Sequence, residues 1–81
     1  MTASEAKAIA KAHQRLKDNL ELIQKNFTVA ELSVVLDISM NTWTNRMKEP
    51  WKRFSYDDLY MIAQYCRVDF ISLVTGELRI R

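Results

Sequence analysis

A single glycine, Gly76, and a single proline, Pro50, occur in the 81 residues of this chain. The tight turns of β-hairpins depend on glycine, asparagine and proline at defined positions, and this sequence offers little of that material. Long stretches without either residue favour helices instead. Because a chain of this length can build only one small core, we expect a single all-α domain.

Composition and residue usage exclude several classes of protein. Hydrophobic residues make up 48% and charged residues 27% of the chain, which is the balance of a globular domain rather than a disordered segment. Cys66 is the only cysteine and His13 the only histidine, so neither an intrachain disulfide nor a Cys/His zinc site can form. We expect no metal and no cofactor. Residues 1–15 mix charges with alanines, so we also expect no signal peptide, no membrane partner and a cytoplasmic location.

The first predicted helix starts at Ser4 and runs for about twenty residues without a helix breaker. Its apolar and weakly polar residues recur at alternating intervals of three and four, as they do along one helical face. These residues are Ala6, Ile9, His13, Leu16, Leu20, Ile23 and Phe27. We expect the last three to enter the core of a domain spanning residues 16–81. Residues 1–15 then form a helical extension, which is either exposed to solvent or packed against a second copy.

A helix-turn-helix is indicated by the next elements. Thr28 and Glu31 have the spacing of a capping box for a second, short helix. Asp37 tolerates a left-handed backbone, and Ser39 can cap a third helix. That helix should end before Pro50, because the residue preceding proline disfavours helical geometry. Two helices joined by a turn of about three residues have the layout of a helix-turn-helix.

The remainder of the chain predicts two more helices. The segment PWKRFS, residues 50–55, reads as a basic loop. Ser55 and Asp58 form a second capping box, which starts the fourth helix, and Asp69 caps a fifth. Cys66 falls among the apolar residues of the fourth helix, so we expect a small buried hydrophobe there.

Positive charge concentrates around the third predicted helix. The net charge of the chain is only +2, which does not by itself indicate nucleic-acid binding. Residues 39–54, however, carry a local charge of +3. The charged residues in this stretch are Arg46, Lys48, Lys52 and Arg53 against Glu49. Such cations can neutralise phosphates and provide salt-dependent affinity.

The third helix is predicted to have two distinct faces. Met40, Trp43 and Met47 recur on one side, with Trp43 as a core anchor. Asn41, Thr44, Asn45 and Lys48 project from the other side. An α-helix fits the major groove of B-DNA, and asparagine can make two hydrogen bonds with adenine. Asn41 and Asn45, one turn apart, are suited to this readout, although a polar helical face can also be simply solvated.

The order of these elements resembles a known family. The segments TVAELSVVL, DIS, MNTWTNRMK and FSYDDLYMIAQYCRVDFISLVTG are similar to the lambda-repressor-like helix-turn-helix family of Cro and CI type, also called XRE. The resemblance spans residues 16–76, and TNRMKEP is similar to small phage variants. It implies a five-helix lambda-repressor-like DNA-binding domain, here with an extended N-terminal helix. It also implies a homodimer on a palindromic operator, as in phage or prophage repressors.

The resemblance assigns roles by position. It implies that bases are read by Met40, Asn41, Thr44 and Asn45. It implies that the capped helix starts at Thr28 and Ser39 lie near the DNA backbone. With the cations around the third helix, the predicted phosphate contacts are Thr28, Ser39, Arg46, Lys48, Lys52 and Arg53. The chain departs from the family pattern at four positions. These are Val29 in place of a frequent Gln, Ser33 in place of Ala, Asp37 in place of Gly, and Met40 in place of Arg or Gln.

Two functions remain open on the sequence alone. The first is sequence-specific binding of double-stranded DNA by a transcriptional regulator. The alternative is a protein-interaction module on the same fold, similar to an antitoxin or a phage inhibitor. It is supported by the modest net charge and by Met61, Tyr65 and Ile71, which the periodicity leaves outside the core. We expect no enzyme, because neither a glycine-rich phosphate loop nor a catalytic grouping of His, Cys or carboxylates occurs.

Overall fold

Six α-helices make up the fold, and the computed structural model describes residues 2–76 and 78. In chain order the helices are α1 (Ala3–Asn26), α2 (Val29–Leu36), α3 (Met40–Arg46), α4 (Pro50–Arg53), α5 (Tyr56–Cys66) and α6 (Phe70–Thr75). The predicted all-α class is confirmed. The predicted number of five is wrong, because the expected basic loop contains one helical turn, α4. Proline at the first position of α4 suits that helix, since it has no N–H that would need a partner there.

The first helix, α1, spans almost the whole molecule. It begins at Ala3, because Thr2 rather than Ser4 is the N-cap and accepts a hydrogen bond from the N–H of Glu5 at 3.2 Å. Its 24 residues correspond to about 36 Å of helix, close to the longest dimension of 40 Å. Residues 3–12 are exposed, whereas the C-terminal half of α1 contributes four buried residues. These are Leu16, Asn19, Leu20 and Ile23.

The helices α2, α3, α5 and α6 begin at the predicted cap residues. The hydroxyl of Thr28 accepts a hydrogen bond from the N–H of Glu31 at 3.1 Å, and the Glu31 carboxylate accepts one from the N–H of Thr28 at 2.6 Å. Ser55 and Asp58 form the same reciprocal pair at the start of α5, and the Asp69 side chain caps α6. These caps satisfy N–H groups that have no partner within the helix, so each boundary is encoded locally.

The core is centred on Trp43, whose side chain is fully buried. Its indole N–H donates a hydrogen bond to Gln24 of α1 at 2.8 Å, and the Phe54 ring meets its indole edge to face at 5.1 Å. Leu20 and Ile23 of α1 are buried in the same cluster, as predicted. Phe27, also predicted for the core, is only partly buried against it. Trp43 therefore holds α3 against α1 and leaves the opposite side of α3 exposed.

Two further contacts of α1 fix the positions of α4 and α6. The imidazole of His13 stacks on the indole of Trp51 in α4, with ring centroids 4.4 Å apart and planes 3° from parallel. The buried Asn19 amide donates hydrogen bonds to the carbonyl oxygens of Ser72, Leu73 and Gly76 at 3.2, 3.0 and 2.9 Å. These oxygens lie at the end of α6, where carbonyls lack partners within the helix. Asn19 thus caps α6 from another helix.

Candidate nucleic-acid interface

The turn between α2 and α3 is fixed by backbone hydrogen bonds. Asp37 has a φ of 55°, the left-handed conformation predicted for it. Its N–H donates to the carbonyl of Val34 at 3.1 Å, and the N–H of Ile38 donates to the carbonyl of Ser33 at 3.0 Å. Ile38 is half-buried against the core. The turn therefore sets the direction in which α3 leaves α2.

The exposed side of α3 is formed by five residues. We call these residues the α3 face: Met40, Asn41, Thr44, Asn45 and Lys48. At 100° per residue they fall within an arc of about 140°. Met40 was predicted on the inner side with Trp43, but 53% of its surface is exposed. The prediction is wrong because Met40 begins α3, before the helix reaches the core.

The amide groups of Asn41 and Asn45 make no hydrogen bond with another side chain or backbone group in residues 2–76 and 78. Both side chains are exposed and lie one helical turn apart. Thr44, between them, donates its hydroxyl proton to the carbonyl of Met40 at 3.1 Å. The α3 face thus presents two free amides, each of which has both a donor and an acceptor side.

Arg46 lies on a different side of α3 and is already paired. Its guanidinium donates a 2.9 Å hydrogen bond to the carboxylate of Asp58 and lies 5.9 Å from the centre of the Phe54 ring. The side chain is half-buried in this arrangement. Its predicted role as a phosphate contact stays a prediction. The ion pair uses one of the guanidinium nitrogens and makes Arg46 less accessible than the other cations of this region.

Three exposed cations lie on the α3 face or on α4, which contacts α3. Lys48 follows α3, whereas Lys52 and Arg53 lie on α4. Lys52 lies 3.3 Å from the Glu49 carboxylate, but both side chains are open to solvent. An exposed pair of this kind is worth little, so Lys52 remains available to an anion. The phosphate contacts predicted for these three cations stay a prediction.

The two predicted contacts at helix starts, Thr28 and Ser39, are caps in the structure. Ser39 accepts the N–H of Thr42 at 3.0 Å and shares a second hydrogen bond with the Thr42 hydroxyl at 2.8 Å. Thr28 accepts the N–H of Glu31. Both side chains are exposed. Their structural role accounts for their presence, and a phosphate contact would be additional.

The chain matches no family model, no curated protein and no solved structure. Within residues 2–76 and 78, no three side chains of the His, Cys, Asp or Glu type are grouped as metal ligands. None of the helices in this part of the chain has both the length and the apolar character of a membrane span. Functional inference therefore depends on the chemistry of the surface.

A second exposed surface lies on α5 and α6. We call it the α5–α6 surface, and its residues are Tyr56, Tyr60, Met61, Tyr65 and Ile71. The ring of Phe70 joins the two helices, with its centroid 4.9 Å from Tyr56 and 5.7 Å from Tyr60. Val34 of α2 is also exposed, at 79%. At 100° per residue Tyr56 and Tyr60 lie on one side of α5, and Met61 and Tyr65 lie on another. Exposed apolar side chains are typical of protein contact sites.

Three groups on or near this surface have altered pKa values. The Tyr65 hydroxyl donates a hydrogen bond to the Glu31 carboxylate, which lowers the pKa of Glu31 and raises the pKa of Tyr65. Burial raises the pKa of the Cys66 thiol to about 11. Since the thiolate is the reactive form, Cys66 is a poor nucleophile at neutral pH. Cys66 is buried, as predicted.

Sequence reasoning missed two residues that position the interface. Arg46 was assigned to DNA, whereas it holds α3 against the start of α5. Gln24 was not singled out, although it binds the indole of Trp43. The available signal for Arg46 was Asp58, an acidic residue at a helix start that can pair with a nearby guanidinium. Nothing in the local sequence around Gln24 indicates its partner, 19 residues away.

Proposed function

We propose that this protein binds double-stranded DNA sequence-specifically, with the α3 face in the major groove. The observation that carries the proposal is the pair of free amides of Asn41 and Asn45 on an exposed helix. Amide side chains can read base edges, and a helix of this diameter fits the groove. The buried Trp43 and the Arg46–Asp58 pair hold α3 rigidly enough for such readout.

Phosphate contacts in this proposal come from the exposed cations. Lys48 belongs to the α3 face, and Lys52 and Arg53 lie on α4, which contacts α3. Each of these cations can neutralise a backbone phosphate. The capped starts of α2 and α3, at Thr28 and Ser39, are further contacts with the backbone. Affinity should therefore fall as salt concentration rises, whichever sequence is bound.

The wider biological role follows from the family resemblance and from the size of the site. We propose a lambda-repressor-like transcriptional regulator of phage or prophage type. One short helix reads too few base pairs to define a site in a genome. Two copies on a palindromic operator, with half-sites about 34 Å apart, would supply the missing specificity.

The test is selection of the protein on a random duplex library, with sequencing of the bound fraction. The Asn41→Ala/Asn45→Ala variant is run beside the wild type, with Gln64→Ala as the control. Gln64 is an exposed amide on α5, away from α3, and bonds only to the Tyr60 hydroxyl among the described residues. A palindromic motif that disappears in the double variant alone supports the proposal. No enrichment by folded protein overturns it.

A second candidate function is a protein-interaction module, similar to an antitoxin or a phage inhibitor. It is favoured by the α5–α6 surface, where Ile71 is 65% exposed, together with Val34. A stable complex with the product of a neighbouring gene, lost in Ile71→Glu, would support this function if the protein retarded no DNA at low salt. Retention of the complex in both Ile71→Glu and Val34→Glu would count against this surface.

A further inference from the structure

We propose that the base pairs read by the α3 face are A·T pairs, with adenines bound by Asn41 and Asn45 and thymine methyl groups by Met40 and Thr44. This assignment rests on the proposed function and adds the class of DNA sequence that is recognised. It follows from the hydrogen-bonding groups and apolar groups that α3 exposes.

The two amides match adenine better than guanine. In the major groove adenine presents one acceptor, N7, beside one donor, the N6 amino group, whereas guanine presents two acceptors. An asparagine amide carries one acceptor beside one donor group, so it pairs with both adenine positions. Opposite guanine, the amide oxygen would face an acceptor. Asn41 and Asn45 are both free to make the adenine pair.

The four helical members of the α3 face include no arginine, lysine or carboxylate, which are the usual readers of G·C pairs. Guanine is most often bound by arginine or lysine, and cytosine by a carboxylate. The one arginine of α3, Arg46, is held by Asp58 on another side of the helix. Lys48 is the only charged member of the face, and it follows the end of α3. The face has no acidic residue.

The apolar groups of the face suit thymine. Met40 exposes its thioether chain at the start of α3. Thr44 directs its hydroxyl proton to the carbonyl of Met40, so its remaining apolar group, the methyl, is available for contact. In the major groove thymine carries a C5 methyl group that cytosine lacks. Apolar contact with this methyl favours A·T over G·C without a hydrogen bond.

The spacing of the amides sets the spacing of the adenines. Four residues of α-helix rise about 6 Å, and one base pair of duplex rises about 3.4 Å. Asn41 and Asn45 therefore reach base pairs about two steps apart when α3 lies along the groove. We expect each half-site to contain two A·T pairs within three consecutive positions.

Base analogues test this assignment atom by atom. The dissociation constant of the selected duplex is measured by fluorescence anisotropy, with 7-deazaadenine replacing one adenine at a time. This analogue keeps Watson–Crick pairing and removes N7. We expect about a tenfold loss of affinity at two positions per half-site. Asn41→Ala should be insensitive to the analogue at one of these positions, and Asn45→Ala at the other.

Deoxyuridine in place of thymidine tests the methyl contacts. We expect a severalfold loss of affinity when deoxyuridine replaces thymidine at positions next to the two adenines. In Met40→Ala, the substitution at one of these positions should cause no loss. Binding to a G·C-rich motif, or binding unchanged by both analogues, would overturn the A·T assignment and leave DNA binding standing. If folded wild-type protein, checked by circular dichroism, bound no duplex at low salt, the proposed function and this assignment would both be wrong.

Discussion

The guanidinium of Arg46 and the backbone N–H of Ser55 both donate hydrogen bonds to the same carboxylate oxygen of Asp58, at 2.9 and 3.0 Å. Asp58 thereby joins the last residue of α3 to the N-terminal cap of α5. The two side chains of the ion pair are only 27% and 18% exposed. The orientation of the α3 face is therefore coupled to the start of α5 by a partly buried, charge-assisted contact.

The Arg46–Asp58 pair should make a measurable contribution to stability. In a double-mutant cycle of Arg46→Ala and Asp58→Ala, we expect a coupling energy of about 1 kcal/mol from urea unfolding. The matched control is the cycle for Lys52 and Glu49, whose side chains are 71% and 42% exposed. That pair should give nearly zero. Equal coupling energies in the two cycles would show that partial burial does not strengthen the pair.

Replacing Asn19 should strongly destabilise the fold. Asn19→Ala removes the side-chain donor to the carbonyls of Leu73 and Gly76, whereas the Ser72 carbonyl keeps the N–H of Gly76. It also removes the acceptor for the N–H of Leu78 at 3.2 Å. We expect the free energy of unfolding to fall by about 2–3 kcal/mol. Asn26→Ala is the control, because Asn26 is exposed and bonds only to the Leu22 carbonyl among the described residues. A similar small loss in both variants would contradict the capping role of Asn19.

Removing the Ser33 hydroxyl should stabilise the protein. This oxygen is buried in α2 and has no hydrogen-bond partner within the part of the chain that the structure describes. Ser33→Ala removes an unpaired buried polar group and improves helix propensity, for an expected gain of about 1 kcal/mol. Ser4→Ala, at an exposed position of α1, should show the propensity gain alone. A loss of stability in Ser33→Ala would mean that the hydroxyl has a partner in solution.

Much of the fold was predictable because its boundaries are encoded within a few residues. The capping boxes at Thr28 and Ser55 and the left-handed turn at Asp37 each depend on contacts between residues three to five positions apart. The inward direction of Trp43 follows from helical periodicity. Periodicity also predicted the exposed residues of the α3 face, except that it placed Met40, the first residue of α3, on the inner side.

The rest depends on contacts that sequence spacing does not show. Asn19 meets the end of α6 more than fifty positions away, and polar residues on helices are usually solvated. The pairing of Arg46 with Asp58, twelve positions away, was likewise not predicted. The helical turn α4 was missed because a single turn carries almost no periodic signal, and Pro50 was taken only as a helix stop.

Arg67 offers a way to stabilise the end of α5. It adopts a left-handed conformation with a φ of 56°, which is unfavourable for a residue with a Cβ atom. Arg67→Gly removes this strain, although glycine loses more conformational freedom on folding. We expect a net gain of about 0.5 kcal/mol, or roughly 2–4 °C in Tm. Arg67→Ala retains a Cβ atom and should give no such gain, so equal Tm values for the two variants would contradict the strain argument.

The hydrogen bond from Tyr65 to Glu31 should make stability depend on pH at both ends of the range. Glu31 has a pKa below its ordinary value of 4.5 in the folded protein, so its contribution is present above pH 4.5 and is lost as pH falls through the folded value. Tyr65 has a pKa above its ordinary value of 10.0. Its contribution is present below pH 10.0 and is lost as pH rises through the folded value.

Tyr65→Phe should therefore weaken the dependence of stability on pH below 4.5 and abolish the part of the pH dependence above 10.0 that Tyr65 causes. Glu31 keeps its hydrogen bond from the N–H of Thr28, so part of the acid dependence should remain. Thermal unfolding across pH 3–6 and 9–11 measures both effects. Stability changes with pH in these ranges because the folded and unfolded chains bind different numbers of protons. Tyr60→Phe is the control, since Tyr60 is exposed on the same helix and its hydroxyl meets Gln64 rather than a carboxylate. If wild type, Tyr65→Phe and Tyr60→Phe gave parallel curves throughout, the hydrogen bond between Tyr65 and Glu31 would have no energetic role in solution.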